Sequence, residues 1–236
     1  MRTAARPRPA ELPVGDEKRR AVRAMFDAIA PRYDVVNKVM TFGLDVIWRR
    51  RTVGLLGLPG HSLVLDLACG TGDLVRALRR AAHVPVGLDI SAGMLANARV
   101  QGAPLVLGDG AALPVRAASV DGVVSGFALR NFADLAAVLA ELARVVRPGG
   151  RIALLDVSQP EGQVLSAGYR IWFNRVVPRI GRILSDPAAY RYLPESVAYL
   201  PPPAELLVML ADAGFAGAVR HQLSGGLVQV LTGTRS

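Results

Sequence analysis

The sequence predicts an α/β fold, a Rossmann-like, doubly wound and mostly parallel sheet of seven strands. Two observations support this prediction. Short apolar runs alternate with amphipathic segments, as in parallel strands and their crossover helices, and a glycine turn follows the first run. The predicted strands begin near residues 62, 84, 104, 120 and 151, and residues 215–231 return as two closing strands. The length of 236 residues suits one large α/β domain, which we place at 16–236.

The segment before the first strand has helical spacing. Residues 16–30 and 33–40 are predicted helices separated by Pro31, and Leu44–Leu56 is a third. Because these helices lie outside the strand–helix alternation, they are an addition to the sheet. We expect residues 16–56 to form a lid over a bound ligand, while ordinary packing against the sheet is also compatible with the pattern.

The first strand leads into a glycine turn. Residues 62–67 form an apolar run, Gly70 and Gly72 follow, and Asp73–Arg80 has the pattern of a helix. A strand, a Gly-x-Gly turn and a helix form the usual binding place of a nucleotide-like cofactor, because glycine lets the ligand approach the backbone closely. The full dinucleotide pattern requires a third glycine, and Val75 stands in its place.

Three successive strands each end in an acidic residue, namely Asp66, Asp89 and Asp109. In an open α/β sheet, ligands bind beyond the carboxyl ends of the strands, so we expect these side chains to meet at one site. Asp89 would accept hydrogen bonds from ribose hydroxyls, and Asp109 would accept one from an adenine amino group. The alternative is that each acid caps the following helix. The spacing of these residues fits an adenosine that carries no pyrophosphate, and this favours S-adenosylmethionine over NAD as the cofactor.

The remaining elements complete the sheet. Helices are predicted at residues 73–82, 91–100 and 133–147, and a turn at 147–150 precedes a strand at 151–157. Residues 160–200 interrupt the alternation with aromatic side chains set among arginines, and we expect a helical insert there that contributes to substrate binding. Three prolines at 201–203 introduce the last helix, which is predicted to end at Ala213.

Composition excludes several classes of protein. No apolar run is long enough to span a bilayer. Residues 1–15 lack the apolar core of a signal peptide, and we expect a disordered tail. The single cysteine, Cys69, fits a reducing cytoplasm and, inside the glycine turn, a small packing residue rather than a nucleophile. Since His61, His83 and His221 are scattered, no metal site is predicted.

The net charge of +9 comes almost entirely from arginine. Lys18 and Lys38 are the only lysines. Such an imbalance is typical of GC-rich genomes, so the charge indicates little about nucleic acid as a partner. It favours contact with anionic lipid headgroups. Because no base-flipping motif follows the fourth strand, we expect no nucleic-acid substrate.

These motifs resemble a known family of enzymes. The sheet motifs are similar to those of class I S-adenosylmethionine-dependent methyltransferases, namely Asp66-x-Ala68-x-Gly70-x-Gly72, Asp89-Ile90, Asp109-x-x-x-Leu113-Pro114 and Arg147-Pro148-Gly149-Gly150. The flanking motifs resemble, more narrowly, the C-methyltransferases of ubiquinone and menaquinone biosynthesis. They are Phe26-Asp27-x-Ile29-Ala30-x-x-Tyr33-Asp34-x-x-Asn37, Leu129-Arg130-Asn131, Tyr190-Arg191-Tyr192-Leu193 with Glu195-Ser196, and Ala213-Gly214-Phe215. The resemblance covers residues 16–228.

The resemblance implies a set of site residues. Those for the cofactor, S-adenosylmethionine, are Asp66, Gly70, Thr71, Gly72, Asp89, Ile90, Asp109, Gly110 and Ser125. For catalysis, we expect Arg130 to polarise a water or hold a phenolate, since a guanidinium stays protonated. Tyr33 would bond a ring oxygen of the substrate or pack at a helix junction, and Asn131 would bond the substrate or cap the next helix. Asp156 and His221 are candidates for the proton acceptor.

Two departures from the family pattern bear on the substrate. Gly126 stands where the family has a serine, and the neighbouring Ser125 points the other way if the strand alternates normally. Near the end, the family pattern Gly-Ile-Val-Ala-Leu-His is replaced at residues 226–231, where Gln229 is the polar residue. These changes leave cofactor binding intact and keep open a paralogue with a different substrate.

The resemblance implies transfer of a methyl group to a ring carbon of a polyprenylated quinol, with demethylmenaquinol favoured by the composition. The implied location is the cytoplasm at the inner face of the plasma membrane, with peripheral membrane contact, and a homodimer is left open. The alternatives are methylation of a polyketide or another small aromatic, and a non-catalytic module that binds the cofactor.

Overall fold

The computed structural model describes residues 14–158 and 196–236. Three helices precede the sheet, namely α1 (Gly15–Ile29), α2 (Tyr33–Thr41) and α3 (Leu44–Leu56). The strands are β1 (Leu63–Leu67), β2 (Val84–Asp89), β3 (Leu105–Leu107), β4 (Val120–Gly126), β5 (Val146–Val157), β6 (Phe215–Leu223) and β7 (Val228–Arg235). The other described helices are α4 (Asp73–Arg80), α5 (Ala92–Ala96), α6 (Leu135–Val145) and α7 (Pro203–Asp212).

The seven strands form one sheet in the order β3-β2-β1-β4-β5-β7-β6. The first five strands pair in parallel, whereas β7 is antiparallel to both β5 and β6. The chain winds outward from β1 to β3 on one side and from β4 to β5 on the other. Strands β1 and β4 therefore flank the topological switch point, where open α/β sheets bind their ligands. The predicted Rossmann-like, mostly parallel seven-stranded sheet is confirmed.

Both faces of the sheet are covered, and neighbouring residues of one strand enter different cores. Leu65 and Val123 pack in the core that contains residues of α6 and α7. Val64 and Val124 pack in the core that contains residues of α3 and α4. This alternation is the period of two expected of a strand. Because the central strands are held from both sides, their carboxyl ends provide a fixed frame for a site.

Helix α5 and the start of β5 are among the elements that differ from their predicted bounds. Helix α5 ends at Ala96, whereas the sequence predicted a helix to residue 100, and at its end both the backbone N–H and the side chain of Asn97 donate to the Gly93 carbonyl. Residues 147–150 belong to the start of β5 rather than to a turn. Val146 already pairs with Val120, and the register shift that follows is a bulge at which Gly149 has a φ of 77°.

Some predictions fall outside the described residues. Most of the tail at 1–15 and of the insert at 160–200 lies there, as does the motif at 190–193. Within the described part of the insert, residues 196–200 contain a 3-10 turn at Val197–Tyr199. Among the described helices, none combines the length and the apolar character needed to cross a bilayer.

Candidate active site

A cavity of about 220 Å³ opens beyond the carboxyl ends of β1, β2 and β4, at the switch point of the sheet. Helix α1 and the loop after β4 supply other parts of its wall. The predicted site residues that line the cavity are Tyr33, Gly70, Asp89, Ile90, Asp109, Gly110 and Asn131. Those that are not among its lining residues are Asp66, Thr71, Gly72, Ser125 and Arg130. The cavity thus brings together some of the predicted cofactor residues and two of the three predicted catalytic residues.

The glycine turn after β1 requires its glycines. Gly72 has a φ of 87°, and a Cβ atom there would lie 2.4 Å from Val100 Cγ1. A larger residue would therefore be strained by both its backbone conformation and its surroundings. Cys69, inside the same turn, is buried, and burial raises the pKa of its thiol, which fits the predicted packing role. The turn lets Gly70 approach the cavity with its backbone.

Asp89 is held by the backbone of two neighbouring loops. One carboxylate oxygen accepts the Gly70 N–H at 2.8 Å, and the other accepts the Ser91 N–H at 2.8 Å. Burial raises the pKa of Asp89, while these hydrogen bonds act in the opposite direction. Because a carboxylate has about four acceptor positions, two are left for hydroxyl donors of a ligand in the cavity. This geometry fits the predicted contact with ribose.

Asp66 is a fully buried carboxyl group next to the cavity. Among the described residues, neither of its oxygens has a partner at hydrogen-bond distance, although the Val75 N–H is near enough to act against the rise of its pKa. Burial raises the pKa of Asp66 well above its ordinary value. An orphaned buried carboxyl group is costly unless a ligand supplies a donor or a positive charge. The amino group and sulfonium of S-adenosylmethionine have the chemistry that this position lacks.

Asp109 makes an ion pair that the sequence did not indicate. Its Oδ2 accepts a hydrogen bond from Arg19 of α1 at 3.0 Å, and its Oδ1 accepts the Ala111 N–H at 3.0 Å. Gly110 follows in the cavity wall, and a Cβ atom there would lie 3.1 Å from the Phe132 ring. An adenine amino group would have to share Asp109 with Arg19, and the adenine contact stays a prediction.

Two of the predicted cofactor residues use their hydroxyls within the protein. Ser125 is fully buried, and its Oγ donates to the Leu67 carbonyl at 2.8 Å, which links β4 to β1. Thr71 donates its hydroxyl hydrogen bond to Asp34 of α2. The Ser125 hydroxyl is thus engaged with the neighbouring strand. A cofactor contact by these hydroxyls stays a prediction.

Arg130 belongs to a 3-10 turn after β4. Its buried side chain lies against the end of β5 and is not part of the cavity wall. Its guanidinium pairs with Asp156, donates to Ser196 Oγ at 3.1 Å and donates to the Phe127 carbonyl at 2.9 Å. Asp156 also accepts the Val157 N–H at 2.7 Å. Both oxygens of Asp156 are thus engaged within the protein, and its role as a proton acceptor stays a prediction.

His221 lies on the edge strand β6, four strands away from β1 in the sheet. Its Nε2 is 3.1 Å from Thr232 Oγ1 of β7. The structure therefore does not bring His221 to the cavity, and its candidacy as a proton acceptor is wrong. The sequence had offered only the residue type, because a lone histidine carries no spacing signal.

Tyr33 and Asn131, the two predicted catalytic residues that line the cavity, contribute polar side chains to its wall. The Tyr33 ring meets Phe26 edge to face, with centroids 6.2 Å apart. Burial raises the pKa of Tyr33, and the positive charges of Arg49 and Arg130 partly offset that effect. The phenol is therefore a neutral donor at ordinary pH. Asn131 donates to the Phe127 carbonyl at 3.2 Å, which holds its amide in the loop after β4.

Helix α1 is fastened to the cofactor side by contacts that sequence reasoning missed. Asp27 accepts hydrogen bonds from Ser91 Oγ at 2.6 Å and from the Gly93 N–H at 2.9 Å. Lys18 is buried, donates to the Phe132 carbonyl at 2.8 Å and lies 3.5 Å from the centre of the Tyr199 ring. Asp27 belongs to a motif that resembles the family, which was the one available signal, but no local pattern reveals its partner.

Comparison with known proteins gives consistent results. The ubiE/COQ5 methyltransferase family model matches residues 14–235. The ubiquinone/menaquinone biosynthesis C-methyltransferase of Syntrophotalea carbinolica is 41% identical over 224 residues, covering 91% of this chain and 94% of that protein. The demethylmenaquinone methyltransferase of Thermus thermophilus is 42% identical over 221 residues, covering 89% and 100%.

Among solved structures, a SAM-dependent methyltransferase from Thermotoga maritima is similar in fold. It superposes with a TM-score of 0.66 at 19% identity, covering 91% of this chain and all of that one. At this identity the likeness concerns the fold alone, and it agrees with the strand order described above.

Proposed function

Because the chain belongs to the ubiE/COQ5 methyltransferase family, we propose that its substrate is a polyprenylated quinol and that it methylates a ring carbon of demethylmenaquinol. It is an S-adenosylmethionine-dependent C-methyltransferase, as its sequence had predicted. The observation that supports the substrate most is the cavity itself. Asp89, Tyr33 and Asn131 line this one cavity together with apolar side chains, and we assign Asp89 to the ribose and the other two residues to the substrate ring.

We assign the cofactor end as follows. Asp89 accepts the two ribose hydroxyls while the Gly70 and Ser91 N–H groups hold the carboxylate in place. Asp66 faces the positively charged part of the cofactor and gains the partner that it otherwise lacks. When bound, S-adenosylmethionine supplies an electrophilic methyl group. The protein contributes mainly by alignment and by excluding water from the cavity.

At the substrate end, the protein has to favour electron density on the ring. A phenol has a pKa of about 10 in water, so a phenolate is formed only with help. Tyr33 is a neutral donor that would hydrogen-bond the developing oxyanion, and Asn131 would hold a second ring oxygen. Arg130 acts from behind this pair. Its charge lowers the pKa of Tyr33, and its bonds to Asp156 and Phe127 fix the loop that carries Asn131. Such preorganised donors stabilise charge that develops in a transition state.

A second candidate is methylation of another small aromatic or a polyketide. Gly126 lines the cavity where the family has a serine, and a Cβ atom there would lie 3.0 Å from Leu74 Cδ1. The missing hydroxyl removes one polar contact from the wall, so a ring with a different oxygen pattern fits as well.

We also place the protein at the inner face of the plasma membrane, because the polyprenyl tail of the proposed substrate resides in the bilayer.

Quinone profiling of a strain that lacks the gene separates these substrates. If the proposal is correct, the deletion strain accumulates demethylmenaquinone, and a plasmid with the wild-type gene restores menaquinone. The same plasmid with Asp89→Ala does not restore it. An unchanged quinone profile in the deletion strain would contradict a quinol substrate and favour the other aromatics.

A further inference from the structure

Helices α2 and α3 expose apolar side chains on both sides of the turn that joins them. Val35 and Val39 of α2 are 59% and 42% exposed, and Val46 and Ile47 of α3 are 43% and 60% exposed. Val35 and Val39 are four residues apart and so share one face of α2. A group of exposed apolar side chains within a single short stretch of chain indicates an interaction surface rather than random scatter. We refer to these four side chains as the apolar corner.

In the same two helices, the exposed charged side chains are all positive, whereas the acidic side chains bond within the protein. The exposed charged residues of α2 and α3 are Lys38, Arg50 and Arg51, all of them cations. The two acidic residues of these helices are engaged elsewhere. Asp34 accepts the Thr71 hydroxyl, and Asp45 is buried and accepts hydrogen bonds from Thr41 and Arg49. The apolar corner is therefore accompanied only by positive charge, which complements an anionic partner.

Helix α2 connects its part of the apolar corner directly to the active-site cavity. Tyr33, the first residue of α2, lines the cavity, and Val35 and Val39 follow on the same helix. Since an α-helix rises about 1.5 Å per residue, only about 10 Å of axis separate Tyr33 from Val39. A partner on the apolar corner lies close to the substrate end of the cavity.

We propose that the apolar corner, with Lys38, Arg50 and Arg51, docks the protein on an anionic lipid bilayer and sets the cavity against the membrane surface. Apolar side chains that enter the headgroup region together with cations that bind anionic lipids form the usual physical basis of peripheral attachment. This inference rests on the proposed lipid-tailed substrate, because a tail of that kind is drawn from the bilayer itself. A second copy of the chain fits the surface less well, since a two-fold interface would set the cations of both copies against each other.

Vesicle binding of the purified full chain tests the proposal. The vesicles are made of phosphatidylcholine alone or of equal parts phosphatidylcholine and phosphatidylglycerol. One double variant removes apolar contact (Val39→Ser with Ile47→Ser), and another removes charge (Arg50→Gln with Arg51→Gln). The matched controls are Val208→Ser with Val219→Ser, at positions 57% and 47% exposed, and Arg79→Gln with Arg80→Gln at two other exposed arginines.

We expect the wild type and both control variants to bind the mixed vesicles and to bind phosphatidylcholine more weakly. Removal of Arg50 or of Arg51 is expected to lower the affinity for the mixed vesicles about fivefold for each arginine. The double variant Val39→Ser with Ile47→Ser is expected to lose binding to both vesicle types. All variants are expected to methylate a short-tailed, water-dispersed quinol at the wild-type rate.

Three results would overturn the proposal. The first is no vesicle binding by the wild type, and the second is equal losses in the corner and control variants. The third is a change from dimer to monomer in the Val39 and Ile47 variant by analytical ultracentrifugation, with vesicle binding intact, which would make the corner an interface between copies. If the vesicle results are as expected but no quinol is methylated, docking stands and the proposed substrate fails.

Discussion

Asp27 of helix α1 accepts a hydrogen bond of 2.6 Å from Ser91, whose own N–H donates to Asp89 at 2.8 Å. Ser91 thus links helix α1 to the carboxylate that we assign to ribose. The approach is close, since a Cβ atom on Gly93 would lie 3.0 Å from the Asp27 backbone. Asp34 repeats the arrangement from α2 by accepting the Thr71 hydroxyl of the glycine turn. Helices α1 and α2 are therefore both joined to the predicted cofactor site through polar contacts.

Replacement of Asp27 by alanine is expected to weaken cofactor binding and loosen α1 together. The loss of two hydrogen bonds to a partly exposed carboxylate corresponds to about 1–2 kcal/mol, or roughly tenfold in affinity. Asp27→Asn keeps an acceptor oxygen and is expected to recover part of the loss. Calorimetry gives the affinity, and hydrogen exchange over residues 15–33 gives the protection of the lid. Glu17→Gln, at an exposed position of the same helix, is the control. Equal lid protection with and without cofactor in the wild type would show that α1 is fixed packing.

Asp66→Asn is expected to stabilise the cofactor-free protein and to weaken cofactor binding. Burial raises the pKa of Asp66 in the folded state above its unfolded value, so the unfolded chain releases this proton first. The contribution of Asp66 to stability is therefore lost as the pH rises from about 4 through the folded pKa. Urea unfolding over a pH series is expected to show an advantage of Asp66→Asn that grows with pH. A pH-independent difference would contradict the buried, unpartnered state of Asp66.

Because of Lys18, the unfolding free energy is expected to change with pH in the opposite direction under alkaline conditions. Burial lowers the pKa of Lys18 from 10.5 to about 8, so the folded protein releases this proton before the unfolded chain does. The unfolding free energy is therefore expected to rise between pH 8 and 10.5 by this contribution, and the rise is absent in Lys18→Met. Matched unfolding curves of the two proteins measure it. Parallel pH profiles for the wild type and the variant would mean that Lys18 is solvated.

Arg130→Lys is expected to lower turnover more than it weakens cofactor binding. Lysine keeps the charge but cannot reach Asp156, Ser196 and the Phe127 carbonyl at once, so the loop that carries Asn131 loses its fixed position. Steady-state kinetics and calorimetry on the same preparation separate the two effects. Arg144→Lys, at an arginine that bonds Glu141 away from the cavity, is the control. Wild-type turnover in Arg130→Lys would give Arg130 a structural role only.

The sequence predicted the parts of the site that depend on local pattern. Asp89 and the glycine turn were identified because the carboxyl ends of parallel strands meet at one edge of a sheet. The seven-stranded fold and the S-adenosylmethionine-dependent family were predicted and are confirmed. Helix α5 was predicted too long, since its end after Ala96 has no periodic signature in the sequence.

The unpredicted parts of the site depend on contacts between distant segments. Arg19 meets Asp109 across 90 positions of sequence, and Asp27 meets Ser91 across 64. Arg130 was predicted to face the substrate, but its place in an ion pair with Asp156 follows from how β4 and β5 align. Periodicity gives the face on which a side chain lies and not its partner, so such pairs appear only in the folded structure.

The most direct test of the central claim is the position of the transferred methyl group. The purified protein is incubated with S-adenosylmethionine carrying a ¹³C methyl group and with a panel that contains short-tailed demethylmenaquinol, other quinols and small phenols. We expect NMR to find the label on a ring carbon of demethylmenaquinol, and no labelled product with Asp89→Ala. A label on oxygen, or transfer to a small phenol without transfer to any quinol, would contradict the account.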